Sequence, residues 1–337
     1  MRANGLRAVR SFAILCLLLV GTTQGAGADP AQWRREGWTK TDFSKTRIGW
    51  HEILSGGPPK DGIPAIDKPT FKPVTDDKEL TATDPVIGLA IAGDARAYPL
   101  RILIWHEIVN DTVGGLPVTI TYCPLCNSAV VFDRRLSPHV LDFGTTGKLR
   151  NSDLVMYDRQ TESWWQQFTG EAIVGTLTGS ELKMLPARLE SFADFRARHP
   201  EGKVLVPNDP GKRSYGRNPY VGYDIGAAPF LYRGDFPKGI EPMARVVVVR
   251  SGSGAPKAVA LELLRRKGRL VLDDVELAWQ AGQASALEHR EVAKGRDVGT
   301  VTASVKSADG GRRDVPYDVT FAFVVHAFHP DITILKD

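Results

Sequence analysis

The chain has 337 residues, of which 42% are hydrophobic and 24% are charged, with a formal net charge of +4. An apolar fraction of this size, in a chain of this length, builds a core without a disulfide framework. Removing residues 1–28, which hold three arginines and no acid, lowers the net charge from +4 to +1. That balance argues against a nucleic-acid partner.

Residues 1–28 have the pattern of a secretory signal peptide. Three arginines precede an apolar run at 12–20, and Ala26-Gly27-Ala28 offers a small-residue cleavage site. The run is too short to span a bilayer, so we predict no transmembrane span after its removal. We therefore expect an exported protein, periplasmic or extracellular. Cys16 would be removed with the peptide, which leaves Cys123 and Cys126 as the thiols of the mature chain.

Composition and pattern divide the remaining chain into four segments. Residues 29–85 are rich in Pro, Gly and Asp, and predict a loop-rich arm that either forms a binding element or wraps around the fold. The first repeat, 86–206, predicts a hairpin at 86–91 and 95–98, a helix at 100–109, a loop at 144–152 and a helix at 189–197. Residues 207–243 form a connector, and 244–337 resemble the first repeat weakly.

The weak repeat is visible at an offset of 157 residues. At that offset Val118 matches Val275, Tyr122 matches Trp279 and Ser128 matches Ser285, whereas both cysteines match glutamines. We predict an internal duplication whose second copy has lost its thiols, with chance alternation of residue types as the alternative. The predicted fold is mixed α+β, mostly antiparallel β, in two weakly related halves with short helices packed on the sheets.

The most informative segment is 118–132, in which two β-branched and aromatic runs flank Cys123-Pro124-Leu125-Cys126. This pattern predicts a strand, a tight turn with two thiols, and a second strand. Asn127 tolerates the left-handed backbone that such a turn needs. No helix follows Cys126, unlike in thioredoxin-type sites. A metal knuckle, a redox dithiol and a structural bridge are the three interpretations.

A metal ion held by two thiolates needs further ligands, and copper or zinc accepts sulfur together with imidazole. We predict Cys123, Cys126 and His106 as the metal ligands, with Glu107 orienting the imidazole; a hydrogen-bonded core histidine is the alternative for His106. His51 and Met156 are weaker ligand candidates.

A second polar segment follows between residues 151 and 165. Asp153 and Glu162 lie near Trp164-Trp165 and are candidate acid/base residues beside the catalytic Cys123 and Cys126, although turn chemistry explains them almost as well.

Five ordered motifs resemble one family. They are Ser55-Gly56-Gly57-Pro58-Pro59-Lys60-Asp61-Gly62-Ile63-Pro64, Ala95-Arg96-Ala97-Tyr98-Pro99-Leu100, Trp105-His106-Glu107-Ile108-Val109-Asn110-Asp111, Tyr122-Cys123-Pro124-Leu125-Cys126 and Asn151-Ser152-Asp153-Leu154-Val155-Met156-Tyr157-Asp158-Arg159. Together they resemble the bacterial and archaeal domain-of-unknown-function family 3179 over about residues 50–224. The resemblance implies an exported protein and leaves the activity open. The family pattern has Gly after the second cysteine, where this chain has Asn127.

Three functions are consistent with these residues. The first is an exported protein that binds copper or zinc, one ion per chain, with a copper-dependent oxidoreductase as its enzymatic form acting on a small molecule or redox partner. The second is a periplasmic thiol–disulfide exchange protein in which Cys123 attacks and Cys126 resolves. The third is a non-enzymatic module that binds a ligand or partner and uses the cysteines as a staple.

Overall fold

The computed structural model describes residues 29–250 and 255–337, so the predicted signal peptide lies outside the described residues. The α-helices in these ranges are short: α1 (Pro30–Arg35), α2 (Leu100–Leu103), α3 (Phe192–Arg198), α4 (Leu261–Lys267) and α5 (Ala322–Phe328). Single 3₁₀ turns occur at Trp50–Glu52, Val74–Asp76, Tyr223–Ile225 and Val292–Lys294.

Strands dominate the part of the chain that precedes the connector. They are β1 (Ile53–Ser55), β2 (Thr70–Pro73), β3 (Pro85–Ile91), β4 (Asp94–Pro99), β5 (Ile108–Val113), β6 (Leu116–Cys123), β7 (Ser128–Asp133), β8 (Arg135–Leu136), β9 (His139–Val140), β10 (Phe143–Arg150), β11 (Asp153–Asp158), β12 (Trp164–Gln166), β13 (Ala172–Val174), β14 (Met184–Leu185), β15 (Arg188–Ser191) and β16 (Lys203–Val206).

The connector ends where strands resume. The later strands are β17 (Arg245–Val249), β18 (Lys257–Ala260), β19 (Arg269–Leu272), β20 (Val275–Gln280), β21 (Thr300–Lys306), β22 (Arg312–Asp314), β23 (Tyr317–Phe321) and β24 (Ile334–Leu335). Nearly all strand pairs are antiparallel; β4 with β16 and β18 with β24 are parallel. The predicted mixed α+β fold, mostly antiparallel β, is confirmed.

Two sheets of the first half position the cysteine hairpin. The cysteine hairpin, β6 and β7, lies within the sheet of order β14-β7-β6-β5. Asp153 begins β11 in the neighbouring sheet of order β1-β10-β11-β12-β13. The side chains between these sheets are almost all buried and belong to one hydrophobic core. The end of the cysteine hairpin therefore meets the start of β11 in the interior.

The two halves share a strand order. In the first half a sheet runs β15-β3-β4-β16, extended by β2, and in the second half a sheet runs β23-β17-β18-β24 with the same parallel and antiparallel pairings. This correspondence supports the predicted duplication, which stays a prediction. The alignment at an offset of 157 residues holds for β20, which corresponds to β6. It fails for the strand corresponding to β7, because residues 281–299 separate β20 from its hairpin partner β21. Ser285 therefore lies outside the strands, unlike Ser128.

The N-terminal arm wraps around the first half. Its β1 pairs with the edge of β10, and Trp33, Trp38 and Phe43 form a buried aromatic cluster with Trp164 and Tyr157. The indole and phenyl rings of this cluster meet edge to face or tilted at centroid distances of 4.9–5.6 Å, a favourable arrangement for aromatic quadrupoles. The arm therefore packs around the fold, as in one of the two alternatives that the sequence left open for residues 29–85.

Several predicted elements are confirmed and others are wrong. The hairpin β3–β4 and the cysteine hairpin form as predicted. The helix predicted at 100–109 ends at Leu103, because Glu107 adopts a left-handed φ of 59° and the β-branched residues after it extend β5. The loop predicted at 144–152 is largely the strand β10. The helix predicted at 189–197 begins three residues later, since residues 188–191 pair with β3.

No helix among the described residues combines the length and the apolar character that crossing a bilayer requires.

Candidate metal centre

The two thiols lie at the tip of the cysteine hairpin. Cys123 ends β6, and the chain reverses through backbone hydrogen bonds from Cys126 N to Cys123 O and from Asn127 N to Pro124 O, both 3.2 Å. Asn127 has a φ of +51°, the left-handed conformation that the sequence predicts for it. Both cysteines are free thiols, and each is at most 1% exposed. The turn therefore directs two sulfur atoms into the core.

Asp153 meets the thiols from the adjacent sheet. Its Oδ2 accepts hydrogen bonds from Gln166 Nε2 at 2.6 Å and from Phe168 N at 2.9 Å. Its Oδ1 is buried and accepts no N–H or O–H group of a described residue, and the Cys123 and Cys126 thiols are the remaining donors to this carboxylate. The two sulfurs and a carboxylate oxygen of Asp153 all lie within 4.8 Å of one another, which is close enough for one ion to contact all three. We call Cys123, Cys126 and Asp153 the CCD cluster.

The backbone that presents Asp153 is strained. Asn151 and Ser152 have consecutive left-handed φ angles of 52° and 64°, which non-glycine residues rarely adopt. This turn points the carbonyl oxygen of Ser152 at the thiols, 3.5 Å from Cys126 Sγ and 3.9 Å from Cys123 Sγ. Strain of this kind persists where the surrounding structure enforces it, and functional sites are a common location.

Burial sets the protonation of the CCD cluster. It raises the pKa of Asp153 to about 6, against the opposing hydrogen bonds from Phe168 and Gln166. It also raises the pKa of Cys123, and it raises the pKa of Cys126 well above its usual value. Both thiols are therefore protonated near neutral pH when no cation is present, and a bound cation would have to displace their protons.

Glu107 is a further acid near the cluster. Its side chain is buried, and burial together with the negative charge of Asp153 raises its pKa to about 8. Its backbone carbonyl accepts from Tyr122 N at 2.8 Å, which fixes Glu107 beside the strand that carries Cys123. Sequence reasoning gave Glu107 only a supporting role toward His106. The sequence signal for a buried Glu107 was its position in a mostly apolar segment, directly before the β-branched residues Ile108 and Val109.

His106 is not brought into the CCD cluster. Its Nδ1 lies 2.7 Å from Pro64 O, a group that only accepts, so Nδ1 carries the proton. Its Nε2 lies 2.8 Å from Tyr215 Oη and accepts from that hydroxyl in the neutral ring. Burial lowers the pKa of His106, in keeping with a neutral imidazole. Both ring nitrogens are thus engaged, as in the hydrogen-bonded core histidine that the sequence left open.

The other candidates lie elsewhere in the fold. Glu162 accepts from Lys40 N at 3.0 Å and from Lys60 Nζ at 2.7 Å, so it ties the arm to the β11–β12 turn. Met156 is a fully buried residue of β11. His51 is exposed in the arm. Of the predicted site residues, the structure brings together Cys123, Cys126 and Asp153.

A loop of the connector covers the cluster. The Ser152 hydroxyl donates to Phe230 O at 2.5 Å, and the Tyr223 hydroxyl donates to Leu125 O at 2.9 Å. Phe230 N in turn donates to the Tyr223 hydroxyl at 3.3 Å. The connector therefore closes over both chain segments that carry the CCD cluster, and no sequence motif signalled this role.

The second half supports the cysteine hairpin from the other side. The Asn127 side-chain amide donates to Val319 O at 2.7 Å, and the Thr320 hydroxyl donates to Cys126 O at 2.8 Å. Asp318 accepts from the Ser128 hydroxyl at 2.5 Å and from Ala129 N at 2.9 Å. Strand β23 thus fixes the position of the turn that holds the thiols.

The fold and the cluster together define an α+β protein in which a buried dithiol–carboxylate group lies where two sheets and a connector meet. A family model described as "Protein of unknown function (DUF3179)" matches residues 60–332, and the chain belongs to that family. The match confirms the resemblance seen in the motifs of residues 50–224 and extends it over the second half. Comparisons with curated proteins and with solved structures gave no match.

Proposed function

We propose that this chain is an exported metal-binding protein whose ion is held by Cys123, Cys126 and Asp153. One observation carries the proposal: two thiol sulfurs and a carboxylate oxygen from two sheets converge within 4.8 Å in the core. Without a cation, the buried Asp153 carboxylate lies beside two thiols, whose S–H groups are weak hydrogen-bond donors. A cation bound between the three groups would replace those weak contacts by direct ligand bonds. Export rests on the pattern of residues 1–28.

The donor set favours zinc over copper. Zinc is commonly bound by thiolate, imidazole and carboxylate ligands in a tetrahedral arrangement. Copper(I) prefers soft sulfur ligands, and the hard carboxylate of Asp153 makes this donor set less soft. Three protein ligands leave a fourth position on a tetrahedral ion. A small molecule would supply the fourth ligand.

The thiol–disulfide alternative is less well supported. An exchange protein needs a solvent-accessible thiolate, usually one whose pKa is lowered by a helix N-terminus or a nearby cation. Here burial raises the pKa of both thiols, and neither is more than 1% exposed. No helix begins at the cysteines, because Ser128 starts the strand β7. Metal coordination needs no exposed thiolate, because the ion displaces the thiol protons when it binds.

The test is metal analysis of the exported protein purified without chelator. We expect about one zinc per chain in the wild-type protein, and loss of stoichiometric metal in Cys123→Ser, because one of the sulfur ligands is removed. One copper per chain would instead favour the copper-dependent oxidoreductase. The denatured holoprotein should release two titratable thiols.

Thr119→Val is the matched control. Thr119 lies on the same strand as Cys123, is fully buried and has a hydroxyl without a partner, so its isosteric replacement keeps the packing. This variant should retain the wild-type metal content. Full metal occupancy in a folded Cys123→Ser protein, or an intramolecular disulfide in place of the two thiols, would overturn the proposal.

A further inference from the structure

A deep cleft lies between the arm and the connector. Its volume is about 720 Å³, which lies in the range of small-molecule sites. Its lining combines residues of α1 and β1 and the Pro58-Pro59 turn with Leu231 and Arg233 of the connector. Apolar groups provide much of this lining: Trp33, Ile53, Leu54, Pro58, Pro59 and Leu231.

The cleft is positively charged. Lys60, Lys148 and Arg233 line it, with Glu36 as the single acidic residue of the lining. Lys148 pairs with Glu36 at 2.9 Å, and Lys60 pairs at 2.7 Å with Glu162. Arg233 is exposed and makes no ion pair with any described residue. A cation without a carboxylate partner, at the edge of an apolar cleft, is suited to a ligand that carries its own negative charge.

The walls of the cleft are held in place by the fold. Gly147 of β10 has a φ of +70°, and a Cβ there would collide with the carbonyl of Pro58, so the Pro58-Pro59 turn packs directly on the strand. Leu231 has a φ of +53°, which is strained for a branched side chain. Leu231 follows Phe230, whose carbonyl oxygen accepts a hydrogen bond from the Ser152 hydroxyl. The connector wall is thus continuous with the loop that covers the CCD cluster.

We propose that this cleft binds a small organic anion with an apolar body, and that Arg233 forms the ion pair with its negative group. The apolar lining contacts the body of the ligand, whereas Lys60 and Lys148 are already paired with Glu162 and Glu36. The inference stands on the cleft itself and does not depend on metal binding at the CCD cluster.

Naphthalene-2-sulfonate is a suitable probe, because it joins one negative charge to a flat apolar body. Isothermal titration at low salt should show saturable binding of one probe per chain. Naphthalene-2-sulfonamide, which has the same shape without the charge, should bind about tenfold more weakly. Arg233→Glu should weaken the sulfonate about tenfold, since it replaces an attractive charge by a repulsive one.

The control is Arg313→Glu. Arg313 is also exposed, lies on β22 of the second half and makes no ion pair with a described residue, so its replacement changes net charge equally. This variant should bind the sulfonate as the wild type does. Ser55→Trp, which fills the cleft from an exposed position of its lining, should abolish binding.

Metal-free Cys123→Ser protein should bind the probe with wild-type affinity, which separates the cleft from the proposed metal function. Equal weakening by Arg233→Glu and Arg313→Glu would overturn the inference. So would unchanged binding in Ser55→Trp, or equal affinity for the sulfonamide and the sulfonate.

Discussion

At the scale of single residues, Asp153 has the strongest claim to a ligand role. Its two carboxylate oxygens differ: Oδ2 accepts from Gln166 and Phe168, whereas Oδ1 accepts no N–H or O–H group of a described residue. When hydrogen bonds hold one oxygen of a carboxylate in place, the other oxygen can act as a metal ligand in a fixed orientation.

We predict that Asp153→Asn lowers zinc affinity by at least about tenfold, because a neutral amide is a poorer ligand than a carboxylate. The amide oxygen can still accept from Gln166 and Phe168, so the metal-free protein should keep its fold. Competition with a chromophoric zinc chelator measures the affinity, and thermal unfolding of the chelated protein measures the stability. Unchanged zinc affinity would remove Asp153 from the ligand set.

His106 should behave differently. We predict that His106→Ala leaves metal content unchanged and lowers the free energy of unfolding by about 2 kcal/mol, because two hydrogen bonds, to Pro64 and Tyr215, are lost. Denaturant unfolding together with metal analysis separates the two effects. Loss of metal without loss of stability would restore His106 as a ligand.

The sequence was sufficient to place the thiols at a turn and to name Asp153 as a candidate acid/base residue, though not as a ligand, because the Cys-Pro-Leu-Cys turn and the Asn-Ser-Asp turn are local patterns. It could not bring them together, since their contact depends on how two sheets pack. His106 was assigned to a helix that ends at Leu103, and the left-handed Glu107 redirects the chain there. A left-handed glutamate has no local sequence signal, so this error follows from tertiary structure.

At the scale of elements, the cysteine hairpin depends on strand β23 of the second half. Asp318 is 2% exposed and accepts from two groups at the start of β7. The second half therefore acts on the site through specific hydrogen bonds at its base. This geometry gives the second half, which lacks the thiols, a supporting role for the first.

Asp318→Ala should lower the free energy of unfolding by about 3 kcal/mol and weaken zinc binding, because the Ser128 hydroxyl and Ala129 N–H are left buried without an acceptor. Urea unfolding and zinc competition are the measurements. Asp314→Ala is the control: Asp314 also reaches the first half, through Arg188 at 2.6 Å, but it is partly exposed and remote from the thiols.

The control should cost about 1 kcal/mol or less and leave zinc affinity unchanged. If both variants changed zinc affinity equally, β23 would act through general stability and have no specific effect on the hairpin.

Element prediction succeeded where periodicity and turns are local. The hairpins β3–β4 and β6–β7 have clear alternation and turn residues, and both form. The alignment at an offset of 157 residues does not locate β21, because nothing in the sequence marks the long segment 281–299 between β20 and β21. Backbone contacts with the connector hold this segment, such as the hydrogen bond from Asn218 N to Arg290 O at 2.8 Å. Contacts of that kind are set only when distant segments pack.

At the scale of the whole molecule, the arm, connector and second half all close around a core that buries two acids at and beside the CCD cluster, where the Arg250 guanidinium is a nearby cation for Asp153. Folding therefore buries Asp153 and Glu107 where their charged forms are unfavourable, with folded pKa values of about 6 and about 8. Both values are raised above the ordinary values of 3.8 and 4.5. The stability contributed by the neutral acids is complete below the ordinary values and is lost as pH rises through the folded values.

We predict that the chelated protein becomes less stable between pH 5 and pH 8.5, and that Glu107→Gln flattens this dependence, because the amide cannot ionise. Other titrating groups are common to both proteins, so the difference between their stability curves isolates Glu107.

Adding zinc should reverse the trend, since the ion binds the deprotonated thiols and carboxylate and gains affinity as pH rises. Urea unfolding across this range, with chelator and with zinc, measures both effects. A wild-type protein whose stability does not change with pH when chelated, or whose response to zinc is the same at pH 5 and pH 8.5, would show that the buried acids and thiols do not act as one cation-binding unit.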